Sequence, residues 1–266
     1  MSVSPDVTCL TYRYDGTFEG FLCCVFESYM AHELPQAIIG LNNAAASLFT
    51  VKDIVTVTAH ADRVAQSIPR RISPRVDELL RHAFLTCLPE KELIMLRFLR
   101  QGYRYGSRIL EFAGNDDVWR LTKAVQHLRR EAHLHLGFIR FTVQNGILLS
   151  RVGPKNYILP LIASHFAARF SEERFFIYDE RHHAALVYRP YETAIFPLDD
   201  FKASLPDTAE KNFRALWQTF YDAIEIRPRH NEKCQMTHLP KRYRQYMTEF
   251  IGESTASPER IKNPEP

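Results

Sequence analysis

Gly137-Phe138-Ile139-Arg140-Phe141-Thr142-Val143-Gln144-Asn145-Gly146-Ile147-Leu148-Leu149-Ser150-Arg151-Val152 is the stretch on which the reading of the fold turns. Before it the apolar period is helical. Val118, Leu121, Val125, Leu128 and Ala132 recur at spacings of three and four, which predicts a helix from about Asp116 to His135. Asn115-Asp116-Asp117 supplies caps and negative charge at its start, and Gly137 supplies a C-terminal stop. After Gly137 the period drops to two. Phe138 to Val143 and Ile147 to Val152 flank Asn145-Gly146, a pair that tolerates the positive φ of a two-residue hairpin turn.

Working outward, Pro154 opens the next segment, and a helix is expected from about Tyr157 to Phe170. Phe175 to Tyr178, Ala184 to Tyr188 and Thr193 to Phe196 read as further strands of the same sheet. Residues 207–222 read as a helix with Phe213, Leu216, Trp217 and Phe220 inward, and Pro240 starts a helix from Lys241 to Phe250.

Towards the N-terminus, Val7 to Tyr14 predicts a strand. Thr17 caps a helix from Phe18 to about Met30, and Ile54 to Thr58 predicts another strand. Residues 60–112 read as several short helices. Ser73-Pro74 places a cap before proline at the first helical position, and Pro89 is expected to do the same ahead of Glu90.

These elements predict an α+β protein with a helix-rich N-terminal half and a small antiparallel sheet flanked by helices in the C-terminal half. They fill one domain over residues 1–250, or two lobes over 1–135 and 136–250. Residues 251–266 are polar and rich in proline and are expected to form a disordered tail.

Composition excludes some classes. The net charge is only +3, but its cations are nine lysines and 25 arginines. Arginine favours planar, bidentate contact with phosphate or carboxylate, and a genome rich in G and C favours arginine codons as well. The 5 cysteines are scattered, with no Cys-x-x-Cys and no triplet suited to an iron–sulfur cluster. Reduced, buried thiols in a cytoplasmic protein are the simplest account. No secretion signal and no apolar stretch of membrane-spanning length is visible, so no membrane partner is expected. There is no Gly-rich phosphate loop, no Gly-x-Gly-x-x-Gly, no Gly-x-Ser-x-Gly and no zinc-deaminase signature.

Polar residues set into the apolar run from Glu131 to Asp179 mark the candidate site, because a buried charge without a partner costs several kcal/mol. His165 and Arg169 are four apart and share a helix face. If that helix packs on the sheet, Arg140, His165, Arg169 and Asp179 converge, either on a phosphate or carboxylate, or as a structural ion pair from Arg169 to Asp179 or Glu131. Glu131, His133, His165 and Asp179 are the candidate catalytic residues, and Arg140, Arg169, Arg229, Asn231, Lys233 and Gln235 the candidate nucleic-acid contacts. Arg63, Arg70, Arg71, Arg75 and Arg81 form a second basic region. His133 with His135, and His182 with His183, lack the further ligands that zinc needs, so no metal and no cofactor is expected.

Several segments together resemble a bacterial family of DNA-repair or DNA-metabolism proteins, a domain of unknown function. They are Tyr14-Asp15-Gly16-Thr17-Phe18-Glu19-Gly20-Phe21-Leu22, Glu131-Ala132-His133, Gly137-Phe138-Ile139-Arg140-Phe141, His165-Phe166-Ala167-Ala168-Arg169, Arg229-His230-Asn231-Glu232-Lys233 and Leu239-Pro240-Lys241-Arg242-Tyr243. Leu134 departs from the pattern, in which arginine follows the histidine. The resemblance implies DNA as a partner. It also implies a radical-SAM protein of DNA modification or repair encoded beside this one, and in some members a fusion to a uracil-DNA glycosylase-like domain. It assigns no reaction to the domain itself. The residues leave three readings open: a nucleic-acid-binding repair accessory, an enzyme acting on DNA or modified nucleotides through His, Asp and Glu, and a structural scaffold.

Overall fold

Thr17 decides where the first helix begins. Its hydroxyl accepts from the Gly20 amide at 2.9 Å, and α1 runs Phe18–Met30. Ser73 does the same for α3, Pro74–Phe84, accepting from Val76 at 3.3 Å. The computed structural model describes residues 6–7, 9–41, 49–112, 114–199, 201, 216–217, 236–237 and 239–250. The chain is α+β and divides into two compact units, Met1–Arg130 and Glu131–Pro266.

In the first unit, β2 (Leu10–Tyr14) is the centre of a parallel three-stranded sheet, between β4 (Ala37–Gly40) and β5 (Thr50–Asp53). A short parallel pair, β1 (Asp6–Val7) and β3 (Glu33–Leu34), lies apart from it in the pairing. Helices α1, α2 (Thr58–Arg71), α3 and α4 (Lys91–Tyr105) build one apolar core around Phe21, Ile68, Leu80, Met95 and Phe98. The strand expected over Ile54 to Thr58 is displaced: pairing ends at Asp53, which meets Arg13 at 2.5 Å, and Thr58 already starts α2. The helix expected to start at Pro89 begins at Lys91, because Glu90 turns the chain with φ 55°.

α5 spans Asp116–Phe138. Asn115 caps it by accepting from Val118 at 3.2 Å, and Arg97 meets Asp117 at 2.7 Å near its start. Gly137 does not stop the helix; it lies inside the last turn. The first hairpin strand is therefore shorter than expected. β6 is Thr142–Gln144, and residues 139–141 are a linker.

The second unit holds a five-stranded sheet in which the strands lie in chain order, with β6 at one edge. β7 is Ile147–Val152, β8 Phe175–Asp179, β9 Ala184–Arg189 and β10 Glu192–Pro197. Asn145 (φ 50°) and Gly146 (φ 72°) turn β6 into β7 as expected. The sheet is mixed rather than antiparallel. β7 and β8 are parallel because α6, Leu159–Arg169, carries the chain back across the sheet between them. Leu159, Ile162 and Phe166 bury the inner side of α6, while the Phe141 ring packs edge to face on Phe166, Phe170 and Phe175. A helical turn, α7 (Lys241–Arg244), buries Tyr243 in this unit. Of the helix expected over 207–222, Leu216 and Trp217 are described and helical, and both are exposed rather than inward.

Candidate functional site

The parallel strands β7 and β8 end side by side, Val152 opposite Asp179. In sheets with parallel strands, ligand sites gather outside the carboxyl ends of the strands. Here that region is a cleft of about 600 Å³. The loop after β7 contributes Gly153 and Lys155, and the turn after β8 contributes Glu180, Arg181 and His183. Arg242 and Tyr246 come from α7 and the segment following it.

Two buried carboxylates fix these loops. Glu131 is 4% exposed and accepts the backbone N–H of Lys155 at 3.0 Å and of Asn156 at 2.9 Å. It also accepts from the Asn156 amide at 2.6 Å and the Tyr243 hydroxyl at 3.1 Å, and Arg242 stands 3.5 Å away. Burial pushes the Glu131 carboxyl upward, but the bonds from Lys155, Asn156 and Tyr243 outweigh burial and hold it below the usual range. Asp179 is fully buried. It accepts the backbone N–H of Arg181 at 3.1 Å and of His182 at 3.2 Å, and the His182 Nδ1–H at 2.7 Å. Glu131 accepts four hydrogen bonds and Asp179 three, so each acts as a brace for a loop.

Four cations line the cleft: Arg151, Lys155, Arg181 and Arg242. Arg151 is neutralised by Glu180 at 2.8 Å, and Glu180 also accepts from the Tyr246 hydroxyl. Arg242 is shared with Glu131 and donates to the Tyr243 hydroxyl. Lys155 and Arg181 are exposed, and neither makes an ion pair among the described residues. The cleft therefore presents two uncommitted cations on braced backbone, which suits an anionic guest.

The residues expected to converge are placed elsewhere. Arg140 donates to the Gly137 carbonyl at 2.7 Å and the Ile139 carbonyl at 3.3 Å, closing the end of α5, and its guanidinium lies over the Trp217 ring. His165 and Arg169 do share the solvent face of α6, where Arg169 lies over Phe170. Neither lines the cleft. Asp179 binds the His182 ring rather than an arginine side chain, and Glu131 is approached by Arg242, so neither expected pair with Arg169 forms. His133 is exposed on α5, while Glu131 and His135 are buried, as residues two and four apart on a helix require. His135 donates its Nδ1–H to the Glu131 carbonyl at 2.8 Å and packs edge-on to Tyr243. Arg229, Asn231, Lys233 and Gln235 lie outside the described residues.

Sequence reasoning missed Lys155, Arg181 and the bracing role of the carboxylates. Their signal was the position of Lys155 just after Pro154, and of Arg181 just after Asp179, at the ends of two strands whose parallel pairing the period does not reveal. Among the described residues, no group of three His, Cys, Asp or Glu side chains is placed to hold a metal ion. No described helix is long and apolar enough to cross a membrane.

Comparison adds one relationship. Residues 89–249 match a domain of unknown function, DUF4130. No curated protein and no solved structure matches the chain.

Proposed function

The chain belongs to the DUF4130 family, whose description carries no activity; we propose, from the geometry, that it binds nucleic acid through the cleft at the ends of β7 and β8 and, from the sequence resemblance, that it serves DNA repair or DNA metabolism. One observation carries this reading. Two buried carboxylates pin two loops, and each loop presents an uncommitted cation to the same cleft. A braced backbone removes the cost of ordering the loops when their cations meet a phosphate. The sequence resemblance supports DNA as the nucleic acid and a radical-SAM protein as the functional partner, testable by copurification of the two as recombinant proteins.

The direct test is fluorescence anisotropy with single- and double-stranded DNA. Binding is expected to weaken moderately with salt, and Lys155→Ala and Arg181→Ala each to weaken it further. Absence of binding at low salt defeats the reading.

One observation favours a second reading, an enzyme acting on DNA or modified nucleotides. The His182 ring is partly exposed and held through Nδ1 by a buried carboxylate, the arrangement that orients an imidazole base. Product formation from damaged or undamaged oligonucleotides, lost in His182→Ala while affinity is kept, separates the two.

A further inference from the structure

We infer that the cleft accommodates a single nucleotide unit, one phosphate together with one aromatic base, rather than a run of backbone phosphates. This rests on the nucleic-acid reading above and specifies its ligand.

The walls are of two chemical kinds. The loops after β7 and β8 supply Lys155 and Arg181. Tyr178, Phe201 and Tyr246 supply rings to the same cleft. The Phe201 ring lies 5.6 Å from that of Tyr178 and 4.6 Å from that of Phe176, so it rests on an aromatic base of its own. A groove that only tracks phosphates needs cations spaced along an open surface and gains nothing from rings. Rings beside cations suit a base with its phosphate, since every base has a face to stack. A volume of about 600 Å³ falls in the range of small-ligand sites.

Two further groups can read a base edge. Gln245 is exposed at the cleft and carries both a donor and an acceptor. His183 donates its Nδ1–H to the Asp199 carbonyl at 3.0 Å, which leaves Nε2 as an acceptor in the neutral ring. Its backbone has φ 50°, a conformation few non-glycine residues adopt. Gly153 completes the wall. A Cβ there would run into the Tyr246 hydroxyl, so any side chain would displace the phenol.

A duplex offers such a unit only at an end, a gap or a nucleotide turned out of the stack. Single strands and strand ends are therefore the preferred form of the polymer, and a free mononucleotide is sufficient to occupy the site.

The experiment is competition on the full chain. A labelled single-stranded oligonucleotide is displaced by deoxynucleoside 5′-monophosphates, by the matching nucleosides and by inorganic phosphate. The monophosphates are expected to compete about tenfold better than either half alone. Phe201→Ala should remove their advantage over inorganic phosphate, and Lys155→Ala their advantage over the nucleoside. Phe201→Leu, which keeps apolar bulk without a ring, repeats the test should Phe201→Ala not fold. If the oligonucleotide binds but monophosphates compete no better than inorganic phosphate, the inference falls and the nucleic-acid reading stands. If monophosphates bind directly and the oligonucleotide does not, the cleft is a small-molecule site and the nucleic-acid reading falls. Binding of neither overturns both.

Discussion

Glu131 and Asp179 show how a buried carboxylate can be decisive without doing chemistry. Each is surrounded by N–H and O–H donors, so removing it leaves several donors unpaired. Glu131→Ala is expected to cost about 3 kcal/mol in urea denaturation. Asp179→Ala should fall in the same range and should also weaken DNA binding, because Arg181 loses its brace. Glu131 has its own acid limit. Its folded carboxyl lies below the unfolded value, so its contribution is present above a pH of about 4.3 and is lost as the pH falls through the folded value. His135 acts in another window. Burial, ahead of the opposing influence of the Glu131 carbonyl, Glu131 and Asp179, holds it below the ordinary imidazole range. The unfolded state then binds the extra proton, so stability falls as the pH drops below about 6.5. Denaturation at pH about 7.5 and about 5.5 should show a loss in the parent chain that is smaller in His135→Phe.

Elements were legible where a local rule is strict. Thr17 and Ser73 set helix starts through their hydroxyls, and Asn145-Gly146 set the hairpin through positive φ. Gly146→Ala is expected to cost about 1 kcal/mol, read as a shift in the denaturation midpoint, because alanine is strained at φ 72°. Other boundaries moved because a contact outweighed a propensity. Gly137 stays helical although glycine favours a helix end. Ile54 to Thr58 has β-branched residues but is not a strand, since β2 takes its pairing from residues 50–53 just before it. The mixed character of the C-terminal sheet could not be read from period two, which is the same for parallel and antiparallel strands. α6 between β7 and β8 was the only hint of a crossover. That one parallel pair, in turn, is what gathers the loops of the cleft.

At the scale of the whole molecule, a net charge of +3 is too small to draw nucleic acid to the surface at large. Binding should therefore be local and only moderately sensitive to salt. A contact in which Lys155 and Arg181 neutralise one or two phosphates gives a slope of about −1 to −2 in log K against log salt, and Lys155→Ala should reduce it by up to about one. A much steeper slope would point to a broad basic face instead of the cleft. The amino-acid sequence by itself determined the α+β class, the capped helices and the hairpin, because these depend on interactions within a few residues. It also showed that Glu131 and Asp179 stand in apolar surroundings. Only the tertiary structure decided which groups answer them. The donors to Glu131 come from residues 155 and 156, which follow β7, and from residue 243 in α7, more than a hundred positions away in the chain. Side-chain partners far apart in sequence are set by packing, and no local period encodes them.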